Sequence, residues 1–286
     1  MNINDAIKAL NSGGSIKMYI PSLKYAPLFR PMNTGLQKTL GRIALNSEDQ
    51  YHSGMMRLAL FEDLLLENTH EYKASMLKNV DMIAFQTQLK MQTSSMLPIE
   101  VICTKCGAQT KIIIDLKKLL DNCSNHEFKT FKVEIINNKK ENQKYEFVLE
   151  EPSYMDILIL SESVRKSQDI LSDTVMEAQF YYVYSKLCLY VSEVRFNGDE
   201  ITGNDGQKFN KLPIQDRLKF FDSIDQSITI DEDNKNSLIN IIIDNFSDEA
   251  LSEELFKNVY EVPKCTNPEC DQMLEGVVTY DSFFQF

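Results

Sequence analysis

A chain of 286 residues with 43% hydrophobic and 25% charged side chains is long enough for a large buried core, and only 10 Gly and 8 Pro argue against low complexity. Its formal net charge of -12 speaks against a nucleic-acid partner, whose phosphates are met by clustered Lys and Arg, and turns attention to protein surfaces. No apolar run approaches the roughly 20 residues of a spanning helix, and residues 1–8 lack the apolar stretch of a secretory signal, so the six cysteines are expected in a reducing compartment.

Residues 15–21 and 24–31 read as the two strands of a hairpin, the second kept near a sheet edge by Pro27. Thr34 is placed to cap a helix whose Leu36, Leu40 and Ile43 share one face. A longer helix is predicted over 47–68, where Met56, Leu58, Leu60, Phe61, Leu64 and Leu65 make a stripe wide enough for burial on more than one side. A third follows over 76–93, with Met82, Phe85 and Leu89 inward.

After Pro98 the period shortens to that of strands. Residues 100–102 and 111–115 flank Val101-Ile-Cys-Thr-Lys-Cys-Gly107, and 131–136 and 145–150 form a second hairpin around a polar loop. Beyond Pro152 the pattern is helical again, over 154–160 and 172–190, with Cys188 read as a buried structural thiol. Asn197-Gly198 supplies both positive-φ positions of a type I′ turn between strands 191–196 and 200–202. Leu212-Pro213 opens another helix, and the acidic stretch 222–254 reads as the solvated face of two more. Residues 259–262 and 274–279 are expected to flank a second cysteine pair as strands. The apolar terminus, with Phe283, Phe284 and Phe286, is the candidate partner-binding segment.

The chemistry concentrates in the cysteines. Cys103-x-x-Cys106-Gly107 has the form of a zinc knuckle, because the two-residue spacer points two thiolates at one ion and glycine closes the turn. One pair supplies half of a tetrahedral shell. The other half is Cys265 and Cys270, which would tie the end of the chain to its middle at a closure cost that grows only logarithmically with loop length. The local alternative is Cys123 and His126. A four-cysteine zinc shell is closed to water and is therefore structural. The three histidines, His52, His70 and His126, form no recognisable acid, base or ligand pattern, and no Gly-rich phosphate loop follows a strand, so no catalysis is expected.

The resulting expectation is an α+β fold. Residues 1–97 form an N-terminal hairpin with helices, 98–150 a split zinc-ribbon-like β region, 151–258 a helical region with a short hairpin, and 259–286 a knuckle returning to the zinc site.

The order of motifs resembles the baseplate hub and hub-assembly proteins of T-even-like, contractile-tailed bacteriophages. It runs from Tyr19-Ile-Pro-Ser22 through Leu28-Phe-Arg-Pro31 and the Gln37-Lys38 pair to Cys103–Gly107 and Ile114-Asp-Leu116. Leu212-Pro213 with Arg217, the second cysteine pair and Phe283-Phe284 complete it. The chain departs from that pattern in the Cys-x4-Cys spacing of its second pair and in a longer 129–150 segment. The resemblance implies a non-enzymatic, zinc-stabilised component of the virion tail baseplate, with other hub and tail proteins, or copies of itself, as partners and with no nucleic acid or membrane. A transient assembly chaperone absent from the mature particle and a zinc-ribbon adaptor in phage transcription or replication are the alternatives.

Overall fold

The computed structural model describes residues 14–31, 33, 35, 38–39, 41, 50–66, 73–137, 143–170, 175–224, 226–229, 237–274 and 278. Helices alternate with small antiparallel sheets, and the chain divides into two compact units, Met1–His126 with Leu251–Phe286, and Glu127–Ala250. The division cuts the expected 98–150 segment between its two hairpins and returns the C-terminal segment to the first unit.

In the first unit the hairpin is shorter than its sequence suggested. β1 (Ile16–Lys17) pairs with β2 (Leu28–Phe29), and the remaining alternation is met by single bonds, Met18 N–H to Pro27 O at 3.2 Å and Ile20 N–H to Tyr25 O at 2.8 Å. Pro21 begins a 3-10 turn, Pro21–Leu23, which curls the chain out of the ladder. α1 (Gln50–Leu64) and α2 (Asn79–Met91) carry the expected apolar stripes. Leu58, Phe61 and Leu64 are buried, and α2 is buried along almost its whole length. Phe29, Phe61 and Phe85 close a triangle of rings with centroids 5.0 to 5.4 Å apart. Of the helix predicted from Thr34, the described residues Gly35, Lys38, Thr39 and Gly41 are helical, while Thr34, Leu36, Leu40 and Ile43 lie outside the described residues, as do Phe283, Phe284 and Phe286.

Asp81 joins hairpin to helix. Its carboxylate accepts from the Ser22 amide at 2.8 Å, the Ser22 hydroxyl at 2.5 Å and the Lys78 amide at 2.7 Å, so one side chain caps α2 and pins the 3-10 turn. β3 (Met96–Ile102) and β4 (Gln109–Asp115) then form a regular antiparallel ribbon, Leu97↔Ile114 to Ile102↔Gln109, with Ile99, Val101, Ile112 and Ile114 inward. The ribbon runs straight into α3 (Leu116–Asn125), a helix that the sequence analysis did not anticipate. Asp115 caps it, accepting from the amides of Lys117 and Lys118, while Leu116, Leu119 and Cys123 make its buried face.

The second unit is one sheet covered by helices. Strand order is β5 (Thr130–Asn137), β6 (Gln143–Glu150), β7 (Val191–Phe196) and β8 (Asp199–Glu200), all neighbours antiparallel. Asn197 and Gly198 take positive φ between β7 and β8, as the turn chemistry predicts. α4 (Tyr154–Ile170), α5 (Val175–Tyr190), α6 (Ile214–Ser223) and α7 (Leu238–Phe246) belong to this unit, and α8 (Asp248–Leu255) spans the division. The core shared by the sheet with α5, α6 and α7 is built from Phe147, Leu149, Leu187, Val194, Phe221 and Leu238, all almost fully buried. Cys188 lies in that core, as expected of a structural thiol, its pKa pushed up to about 12 by burial first.

Candidate metal centre

The first knuckle is held by its own backbone. Cys103 donates its amide to Ala108 O at 2.9 Å, and Gly107 donates to Cys103 O at 2.8 Å. The return requires φ of +73° at Gly107, which glycine adopts without a Cβ penalty. The thiols of Cys103 and Cys106 thereby end on the same side of the turn.

The second knuckle is a smaller loop. An antiparallel bridge joins Lys264 to Met273, the Cys265 amide donates to Gln272 O and the Cys270 amide to Asn267 O, each at 2.9 Å. The flanking strands expected at 259–262 and 274–279 reduce to that bridge and the Leu274 N–H to Pro263 O bond. Pro263 has no amide to give to a ladder, and residues 275–277 and 279 lie outside the described residues.

The two knuckles meet. The four sulfurs of Cys103, Cys106, Cys265 and Cys270 all lie within 4.8 Å of one another, with Cys103 Sγ to Cys270 Sγ at 3.8 Å and Cys106 Sγ to Cys265 Sγ at 3.4 Å. A tetrahedral zinc with Zn–S of about 2.3 Å requires S–S edges of roughly 3.8 Å. The thiols are therefore spaced to hold one metal ion with little adjustment. Cys103, Cys265 and Cys270 are buried and Cys106 is exposed, so the centre sits just under the surface.

The electrostatics of the thiols suit a dication. The Ala108 amide, followed by the Cys265 thiol, pulls Cys106 down to about 7. At Cys265 the Asn267 amide pulls the same way, but burial and the neighbouring thiols outweigh it and push the group up to about 12. At Cys270 the Gln272 amide pulls down, but burial and the Cys106 and Cys103 thiols outweigh it and the group is raised. One thiolate forms readily and its charge keeps protons on the others, an arrangement that a divalent cation relieves by displacing them.

Cys123 and His126 do not join the cluster. Cys123 is buried in α3, where burial first and then the Asp81 and Glu254 charges hold its thiol protonated. His126, at the C-terminal end of the same helix, bonds through Nδ1 to Glu254 Oε1 at 2.6 Å.

That hydrogen bond begins a line of contacts that the sequence did not announce. The Asn122 amide group donates to Leu255 O at 2.7 Å and Lys257 O at 3.1 Å, and the Asp115 amide donates to Val259 O at 2.9 Å. The Thr266 hydroxyl donates to Gln109 O at 2.8 Å, and the cysteines follow. As the C-terminal segment advances from Glu254 to Cys270, its partners step back from His126 to Cys103, so it lies antiparallel along α3 and β4 as a strap. A carbonyl acceptor carries no residue signature, which is why these contacts could not be read in advance.

Among the described residues no helix is long and apolar enough to cross a membrane. No protein-family model, curated protein or solved structure matches this chain.

Proposed function

We propose that Cys103, Cys106, Cys265 and Cys270 hold a single zinc ion as a closed structural centre, making β3, β4 and the C-terminal knuckle a split zinc ribbon. The observation that carries this reading is the convergence of thiols 159 and 167 residues apart in sequence onto one tetrahedron-sized cluster. Thiolate ligands select zinc among the common cytosolic divalent ions, and four of them leave no site for a reacting water. The centre then fastens the strap rather than performing chemistry.

On this reading the chain is a rigid, non-enzymatic building block for other proteins. The ordered motifs from Tyr19 through Phe283-Phe284 favour a component of a bacteriophage contractile-tail baseplate hub, residing in the virion and contacting hub and tail proteins. The net charge of -12 favours protein partners over nucleic acid. The test is proteomic: peptides of this chain at stoichiometric level in purified particles support a hub subunit. Their presence in tail-assembly intermediates but not in particles would make it an assembly chaperone, and tight, salt-steep binding to DNA or RNA would replace both with a transcription or replication adaptor.

A further inference from the structure

Strand β5 closes one side of the second unit's sheet, and among the described residues no other strand pairs with its outer edge. Natural edges of this length are blunted by proline, by a bulge or by a charge turned toward the apolar face, because an open row of amides and carbonyls is a template for another chain. β5 has no proline, no bulge and no inward charge, and its only charges, Lys132 and Glu134, are on the outward face. Its sequence Thr-Phe-Lys-Val-Glu-Ile-Ile-Asn pairs with β6 without a register shift from Thr130↔Glu150 to Asn137↔Gln143, and the residues it turns to the core are Phe131, Val133 and Ile135. The opposite edge, β8, is only two residues long.

The outward face of β5 is self-complementary. In an antiparallel pair, residues directly opposite share a face. A two-fold axis centred on Lys132 or on Glu134 would set each charge against itself. Centred on Val133, between them, the axis sets Lys132 of one copy against Glu134 of the other, and does so on both sides. The same register continues the inner face, where Phe131 meets Ile135 and Val133 meets Val133 across the axis. In the single chain these three are only partly buried, whereas Tyr145, Phe147 and Leu149 on the neighbouring strand are buried.

Glu134 and Glu146 share the ammonium of Lys144, at 2.9 and 2.8 Å, while Lys132 forms no ion pair among the described residues. After Lys144, the Arg195 and Lys132 charges also lower the Glu146 pKa, so the outward face is balanced in charge and the pairing register is set by the alternation of Lys132 and Glu134.

We infer that β5 is a homodimerisation strand, joining two copies antiparallel about Val133 into one continuous sheet. The test is the mass of the full-length chain in solution by sedimentation or light scattering across a wide concentration range. The wild type should dimerise. Lys132→Glu and Glu134→Lys, each of which opposes like charges twice, should raise the dimer dissociation constant roughly tenfold or more, and the double variant, self-complementary again, should restore it. Unchanged circular dichroism melting keeps these readings separate from folding. As a second check that leaves the surface charges alone, Val133→Cys should form a disulfide joining two copies at position 133 on mild oxidation. A monomeric wild type, a dimer indifferent to the single changes, or a double variant that fails to recover would overturn the proposal.

Discussion

Asp81 is where the hairpin and second helix of the first unit are joined, and the cost of altering it can be worked from three contacts. Asp81→Ala leaves two backbone amides and the Ser22 hydroxyl without their acceptor at a site that is fully buried. An orphaned buried donor costs about 1–3 kcal/mol, and part of that is returned because a buried carboxylate no longer has to be desolvated, so a net loss of about 3 kcal/mol is expected. Asp81→Asn keeps the shape but turns one oxygen into a donor that faces an amide, for about 1–3 kcal/mol. The pH dependence adds a second reading. Burial holds the Asp81 pKa above its ordinary 3.8, against the pull of the Ser22 and Lys78 hydrogen bonds. A carboxyl raised by folding contributes its full stability below its unfolded pKa and loses it as pH climbs through the folded value. The stability of the wild type minus that of Asp81→Asn should therefore shrink as pH rises from the ordinary value, with all other titrations cancelling in the difference. Urea denaturation followed by circular dichroism measures both. An Asp81→Ala cost below about 1 kcal/mol, or a difference that grows with pH, would refute the reasoning.

Two further predictions concern the metal. Cys265→Ser and Cys103→Ser should each lower bound zinc and melting temperature together, because three thiolates hold the ion more weakly than a closed set of four, whereas His126→Ala should leave the zinc content unchanged; metal counting on the purified variants separates the outcomes. Zinc binding at pH 7 should release at least two protons, since Cys265 and Cys270 both carry theirs until the ion arrives. Calorimetry in buffers of different ionisation enthalpy reads that number, and affinity should fall as pH is lowered.

The sequence was most informative where a residue type has few uses. Two cysteine pairs, Asn197-Gly198 and the alternation of residues 131–136 and 145–150 each placed a turn or strand where the structure has one. It was least informative where tertiary contacts decide. In residues 116–125 the signal of α3 is the amphipathic spacing of Leu116, Leu119 and Cys123 behind the Asp115 cap, a pattern only ten residues long that the possible ligands Cys123 and His126 overlay. The strap was hidden for a different reason. It is held by Asn122 and Thr266 side chains on backbone carbonyls and by a His126–Glu254 pair 128 residues apart, none of which has a local pattern. The hairpin at the N-terminus was overextended because alternation says which face a residue takes and not where Pro21 will end the ladder.

The central claim is that one ion joins the middle of the chain to its C-terminal segment, and anomalous diffraction at the zinc edge tests it most directly. The account predicts a single peak bonded by the sulfurs of Cys103, Cys106, Cys265 and Cys270 at about 2.3 Å each, with no water in its shell. A peak bound by Cys123 or His126, or zinc-loaded protein with no density between the two knuckles, would contradict it.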